Sequence, residues 1–217
     1  MLTLYSYWRS SAAYRVRIAL NLKGLAYRQV PVHLLKDGGE QHGEAYKALN
    51  PQSLVPLLID AENGGVRIAQ SLAILEYLDE IFPLPALLPG DPAERAQVRA
   101  LALHVACDIH PLNNLRVLQY LGAELGVSEA QKQGWYRHWV ALGLAAVERG
   151  LVDQDVETFS LGARPGYLEA CLIPQVYNAR RFDCDLDAYP RILALSARCE
   201  ALEAFRQAMP EAQPDAP

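Results

Sequence analysis

The hydrophobic pattern of this chain changes once, and that change limits what it can fold into. Up to about residue 82, short alternating segments interleave with helical ones; beyond Phe82-Pro83-Leu84-Pro85 and Leu88-Pro89-Gly90, apolar residues recur every three or four positions. Residues 2–7 alternate as a half-buried strand, residues 12–23 carry Val16, Ala19 and Leu20 at helical spacing before a Lys23-Gly24 stop, and residues 27–34 alternate again. After a loop at Lys36-Asp37-Gly38-Gly39, residues 55–60 and 66–69 flank Glu62-Asn63-Gly64-Gly65 as a hairpin, and residues 71–82 read as a helix. The order is βαβ followed by ββα, an α/β plan.

The second half reads as wholly helical. Asp91-Pro92-Ala93-Glu94 places an acid at the cap, Pro at the first helical position and Glu three after the cap. It opens a long helix to about residue 125, which Pro111 should kink or interrupt. Further helices are expected over 129–150, 167–179 and 190–209. The last eight residues hold three prolines and two acids and are expected to be irregular and mobile. The expected domains are 1–82, a linker at 83–90, and 91–217.

With 51% hydrophobic and 21% charged residues, 217 residues suffice for a substantial core. A net charge of -5 argues against nucleic acid or an anionic membrane as a bulk-charge partner, so an anionic ligand would have to meet local arginines. No basic segment followed by an apolar stretch opens the chain, and no apolar run approaches the roughly 18 residues of a membrane span, so a cytoplasmic location is expected. Cys107, Cys171, Cys184 and Cys199 form no CxxC pair and fall at helical positions, which reads as reduced core thiols. No metal-ligand spacing is visible.

The join between first strand and first helix carries Arg9-Ser10-Ser11-Ala12-Ala13-Tyr14-Arg15-Val16-Arg17. Two hydroxyls at a helix N-terminus read either as caps or as an anion or thiolate site, because both uses need the same geometry. Ser71, at the start of the later helix, reads likewise as a cap or a carboxylate site. Val55-Pro56 reads as a Pro-terminated loop or as a backbone edge open to an extended peptide.

Arg9-Ser10-Ser11 followed by Arg15-Val16-Arg17-Ile18-Ala19-Leu20 resembles the signature of the zeta-class glutathione transferases, the family of maleylacetoacetate and maleylpyruvate isomerases. Ala48-Leu49-Asn50-Pro51, Val55-Pro56, Gln70-Ser71-Leu72-Ala73-Ile74 and Pro174-Gln175-Val176 are similar to further landmarks of that class. Asp108-Ile109-His110-Pro111-Leu112-Asn113-Asn114 resembles its bacterial branch. The resemblance implies a thioredoxin-like domain followed by an all-α domain, the glutathione transferase fold. It implies glutathione as cofactor, a homodimer, and an active-site cleft between the domains. The implied activity is glutathione-dependent cis-trans isomerisation of maleylacetoacetate or maleylpyruvate in aromatic catabolism such as tyrosine degradation. The thiolate would add to the alkene, the bond would rotate and the thiolate would leave.

By the same resemblance Ser10, assisted by Ser11 and Arg9, is the catalytic candidate. Glutathione falls to Gln41 or its competitor His42, Val55, Pro56, Gln70 and Ser71. The dicarboxylate falls to His110, Asn114, Arg116, Arg180 and Arg181, where planar guanidinium groups offer bidentate contacts. Read without the family, each arginine is a solvated or ion-paired side chain, and His110 a core histidine. Two departures stand out. Ala12-Ala13 replaces the cysteine that many members carry, which excludes a mechanism needing a protein thiol there. Gly166-Tyr167-Leu168-Glu169 replaces a Thr-x-x-Asp capping box, which removes a side-chain acceptor. Competing assignments are a zeta-type transferase acting in conjugation or dehalogenation of small α-halo acids, and a non-enzymatic ligand-binding or regulatory protein of the same fold.

Overall fold

The computed structural model describes residues 1–152 and 158–217. The chain divides into two compact units, Met1–Leu87 with Glu200–Pro217, and Leu88–Cys199. The division differs from the expected one: the last stretch of chain groups with the first unit and not with the helical one.

In the first unit β1 (Leu2–Ser6) leads into α1 (Ser11–Leu22) and β2 (Tyr27–Pro31). A short helix α2 (Glu44–Lys47) precedes the hairpin β3 (Leu57–Asp60) and β4 (Val66–Ala69), and α3 (Ser71–Ile81) follows. The four strands lie in the order β2-β1-β3-β4, with β1 parallel to β2 and antiparallel to β3. Opposite Leu4 stands Leu58. Both are fully buried, together with Val16, Ile18 and Leu20 of α1 and Ile74, Leu75 and Leu78 of α3. Each such side chain contributes about 1.5–3 kcal/mol when withdrawn from water.

A lysine is built into the edge of this core. The Lys23 ammonium sits 2.8 Å from Asp79 and donates to the carbonyls of Phe82 and Pro85, and Asp79 also accepts from the Leu87 amide at 2.7 Å. The turn at Lys23-Gly24 that stops α1 therefore also fastens the Pro-rich connector.

The second unit begins with α4 (Pro92–Leu103), capped by Asp91 as its sequence requires. The long helix expected to reach residue 125 does not continue. It widens into a π-helical turn, His104–Ile109, passes through a 3-10 turn, Pro111–Asn113, and restarts as α5 (Leu115–Ala123). Pro111 has no N–H for the helical ladder, and the wide turn closes just before it, with His110 N–H donating to Val105 O. Gly143 of α6 (Glu129–Gly150) lets this turn approach closely, because a Cβ there would collide with the Ile109 side chain.

α7 (Tyr167–Arg181) is buried along most of its length and packs on α4. Gly166 supplies no side chain, so half of its capping box is absent, as the sequence implied. The Glu169 carboxylate provides the other half, accepting from Gly166 N–H at 2.8 Å, and it also binds the backbone and hydroxyl of Ser160 at 2.6 Å each. The helix expected over 190–209 breaks into α8 (Pro190–Glu200) and α9 (Glu203–Arg206), the latter belonging to the first unit.

The four cysteines are free. Cys171 and Cys199 are core thiols as expected; Cys107 is exposed, and Cys184 lies half-buried beyond the end of α7, where burial raises its thiol pKa. Among the described residues no helix is long and apolar enough to cross a membrane.

Candidate active site

Ser10 is the N-cap of α1. Its backbone is extended, and its Oγ accepts from the Ala13 N–H at 3.2 Å. That bond uses a lone pair and leaves the hydroxyl proton available to an anion placed before the helix, where the backbone amides and the helix dipole also favour negative charge. Capping and anion stabilisation thus coexist at one side chain. Ser11, the first helical residue, is buried, and Arg9 lies with its guanidinium carbon 5.1 Å from the Trp8 ring centre.

The start of α3 is built differently. No side chain caps it, and the preceding residue, Gln70, sits at φ 72° and ψ 117°, a conformation costly for any residue with a Cβ. Its side chain donates to Gln52 at 2.6 Å. Ser71 is buried and its Oγ accepts from Arg15 Nη1 at 3.2 Å. Arg15, 2% exposed, reaches from α1 to do this and ties the two helix starts together.

Arg17 is fully buried. It donates to Ser6 Oγ, to the carbonyls of Tyr7 and Trp8, and to the carbonyl of Ala208. The structural alternative for both signature arginines is therefore the one observed. Their signal in the sequence was two cations set at alternate positions among apolar helical residues.

The loop after β2 carries Gln41, which is 8% exposed and donates to Leu34 O at 3.4 Å; its Oε1 is buried with no protein partner among the described residues. Gly39, at φ 102°, allows this approach, since a Cβ there would strike the Gln41 amide. His42 is exposed. Val55-Pro56 is a cis peptide, and both residues are buried. The preceding carbonyl, of Leu54, accepts from both Tyr46 Oη at 2.7 Å and Asn50 Nδ2 at 2.8 Å, and burial pushes the Tyr46 phenol up to about 12. Tyr46 and Val55 belong to one apolar cluster with Tyr7 and Val32, against which Trp8 and Leu34 also pack. The Ser turn, the Gln41 loop and the Val55 strand entry thus share a common base. The supporting roles of Tyr46 and Asn50 were not foreseen from the sequence; Asn50, inside the block 48–51, was the one with a visible signal.

The second unit holds the remaining candidates. His110 ends the wide helical turn, and its Nε2 lies 3.4 Å from Asn114 Nδ2. Asn114 Oδ1 accepts from the Arg116 N–H at 3.2 Å and so caps α5, with Arg116 exposed on the first turn. The break is anchored to α6: Trp135 Nε1 donates to Leu112 O at 2.8 Å and Asn113 Nδ2 to Tyr136 O at 3.5 Å. Tyr136 in turn stacks on Phe182 with ring centres 3.8 Å apart, and the Arg181 guanidinium carbon lies 4.7 Å from the Phe182 centre. His110, Asn114 and Arg181 therefore hang on one framework through Tyr136. Arg180, exposed beside Arg181, closes the last turn of α7.

Residues 1–80 match the N-terminal domain of glutathione S-transferases. A probable maleylacetoacetate isomerase of Vibrio cholerae serotype O1 is 55% identical over 215 residues, 99% of this chain and 98% of that protein. The solved holo structure of a maleyl pyruvate isomerase, a bacterial zeta-class enzyme, superimposes with a TM-score of 0.93 at 48% identity, covering 99% of this chain and 100% of that one. A maleylacetoacetate isomerase of Methylobacterium extorquens AM1, solved with bound malonate and GSH, gives a TM-score of 0.92 at 40% identity, covering 99% of both chains. With these relatives spanning nearly its whole length, the chain belongs to the zeta class of glutathione transferases, in the family of the maleylacetoacetate and maleylpyruvate isomerases.

Proposed function

We propose that this protein is a glutathione-dependent cis-trans isomerase acting on maleylacetoacetate or maleylpyruvate, in the catabolism of tyrosine or related aromatic compounds, and that it works in the cytoplasm as a homodimer. The observation that carries the reading is the Ser10 geometry: a capping hydroxyl with a proton to give, at the start of a helix, in a turn where Ala12 and Ala13 offer no thiol of the protein's own.

The residues of the first unit suit a peptide thiol with carboxylates at its ends. Gln41 brings a buried amide whose Oε1, without a protein partner among the described residues, can accept from a peptide N–H, Val55 brings backbone, and Ser71 with the start of α3 brings donors for a carboxylate. Glutathione, when bound, supplies the thiolate that adds to the activated alkene, permits rotation about the resulting single bond and leaves again, with no net redox change. An ordinary thiol has a pKa near 8.5, so at neutral pH only a few percent is ionised; Ser10, with Ser11 and the helix amides, raises that fraction by donating to sulfur.

Arg116, Arg180 and Arg181 of the second unit are the cations proposed for the carboxylates of the substrate, and Arg9 is the one proposed beside the Ser turn of the first. His110 and Asn114 stabilise the negative charge that develops on the keto oxygen. The test is to follow the ultraviolet loss of each cis keto acid with and without glutathione. Conversion of at least one only when glutathione is present is the expected result, and no glutathione-dependent conversion of either would sink the proposal.

A further inference from the structure

The last residues of the chain, expected to be irregular and mobile, are ordered against the Ser turn. α9 and α1 pack together, with Asn21 Nδ2 donating to Ala204 O at 2.9 Å. Phe205 and Ala208 are fully buried, and Gln213 folds the segment back on itself by donating to the carbonyls of Gln207 and Met209. This brings the Asp215 carboxylate to the Trp8 N–H at 2.9 Å and to Gln29 Nε2 of β2 at 3.3 Å.

Trp8 stands two residues before Ser10. Its N–H is held by Asp215, and its carbonyl by Arg17 Nη2 at 2.9 Å. The same Arg17 binds the Tyr7 carbonyl, which also accepts the Ser10 N–H at 2.9 Å, and reaches Ala208 O in the returning segment. Both peptide groups that flank Trp8 are therefore pinned, one by the Asp215 side-chain carboxylate and one by a buried guanidinium that also binds the C-terminal segment. A carboxylate accepting a backbone N–H makes a charge-assisted bond, stronger than a neutral one. A hydroxyl stabilises a thiolate only if its direction is set beforehand.

We infer that Asp215 is a positioning residue for the Ser10 turn: the C-terminal segment latches Trp8 so that the Ser10 hydroxyl is aimed at the thiolate. The inference rests on the proposed role of Ser10 and extends it to a residue 205 positions away in sequence.

The experiment compares Asp215→Ala, Asp215→Asn and Ser10→Ala in the full-length protein. Amide hydrogen exchange at Trp8 is measured without ligand, and the pKa of bound glutathione from its ultraviolet thiolate band. D215A is expected to lose Trp8 protection, to raise the bound-thiol pKa by about one unit and to lower kcat by about tenfold, with KM for the dicarboxylate within about twofold. D215N keeps an oxygen for the Trp8 N–H and restores most of all three.

A folded D215A with unchanged thiol pKa and kcat overturns the inference, as does failure of D215N to restore them. If D215A does not fold, Gln29→Met, which removes one of the two donors to Asp215, replaces it; a smaller shift in the same direction is expected, and no shift overturns the idea. S10A separates the two levels: an unchanged thiol pKa in S10A refutes the role of Ser10 itself, whereas a shift in S10A without one in D215A refutes only the latch.

Discussion

The starts of α1 and α3 lie in the same unit and are joined by Arg15, yet they satisfy their backbone in opposite ways. At α1 an ordinary extended residue, Ser10, caps the helix with its own side chain. At α3 the cap position is taken by Gln70 in a costly conformation with no side-chain cap, and the adjacent hydroxyl of Ser71 is engaged by a buried arginine. The first arrangement satisfies the Ala13 amide with a side chain and still has one hydroxyl proton to give. The second has no side-chain cap from the residue before it and sets a cation at its first hydroxyl, at a cost in backbone strain. Helix N-termini in one fold can thus be built differently, and under the proposed function the first would favour a thiolate and the second receive a carboxylate.

Substitutions can break this contrast. The largest effect is expected from Ser10→Ala, which removes both cap and donor. Turnover should fall by about 100-fold, and stability by about 1 kcal/mol. Steady-state kinetics and urea unfolding check the two together, and a stability loss with intact turnover would reduce Ser10 to a cap. Ser71→Ala should act on binding. The KM for glutathione is expected to rise by about tenfold, with kcat little changed, while Arg15 loses one acceptor at a cost of about 1–2 kcal/mol. A kcat effect as large as that of Ser10→Ala would erase the distinction between the two starts.

The smallest expected effect sharpens the contrast from the backbone side. Glycine adopts φ 72° without a steric penalty, so Gln70→Gly should relieve strain. The relief is partly offset by the greater freedom of glycine in the unfolded chain and by loss of the bond to Gln52. A net gain of about 0.5 kcal/mol is expected from thermal unfolding, and a loss would show that the conformation at Gln70 carries no strain.

Much of the site was legible because its determinants are local. The Ser10 cap, the Asp91 cap, the hairpin around Asn63-Gly64 and the interruption at Pro111 all depend on groups within about five residues of one another. The Pro111 interruption shows the limit of that legibility: a break was expected, but its form, a π-helical turn over His104–Ile109 packed against Gly143 of another helix, was not. Arg15 and Arg17 lie inside the signature, yet their sequence pattern alone does not name what a structural role would bind. Only the fold supplied their partners, and Ser71 lies 56 residues from Arg15, Ala208 191 residues from Arg17.

The sequence by itself therefore determined the element order, the helix starts, the family and the residue types available for thiol and dicarboxylate chemistry. These follow from periodicity, capping and short motifs, whose energies come from neighbours along the chain. Only the tertiary structure decided that Glu200–Pro217 returns to the first unit and that Asp215 meets Trp8. Such bonds hold because two distant segments bury a common surface that no local pattern encodes. A tail of three prolines and two acids looks the same in sequence whether or not a carboxylate in it finds an amide 207 residues away.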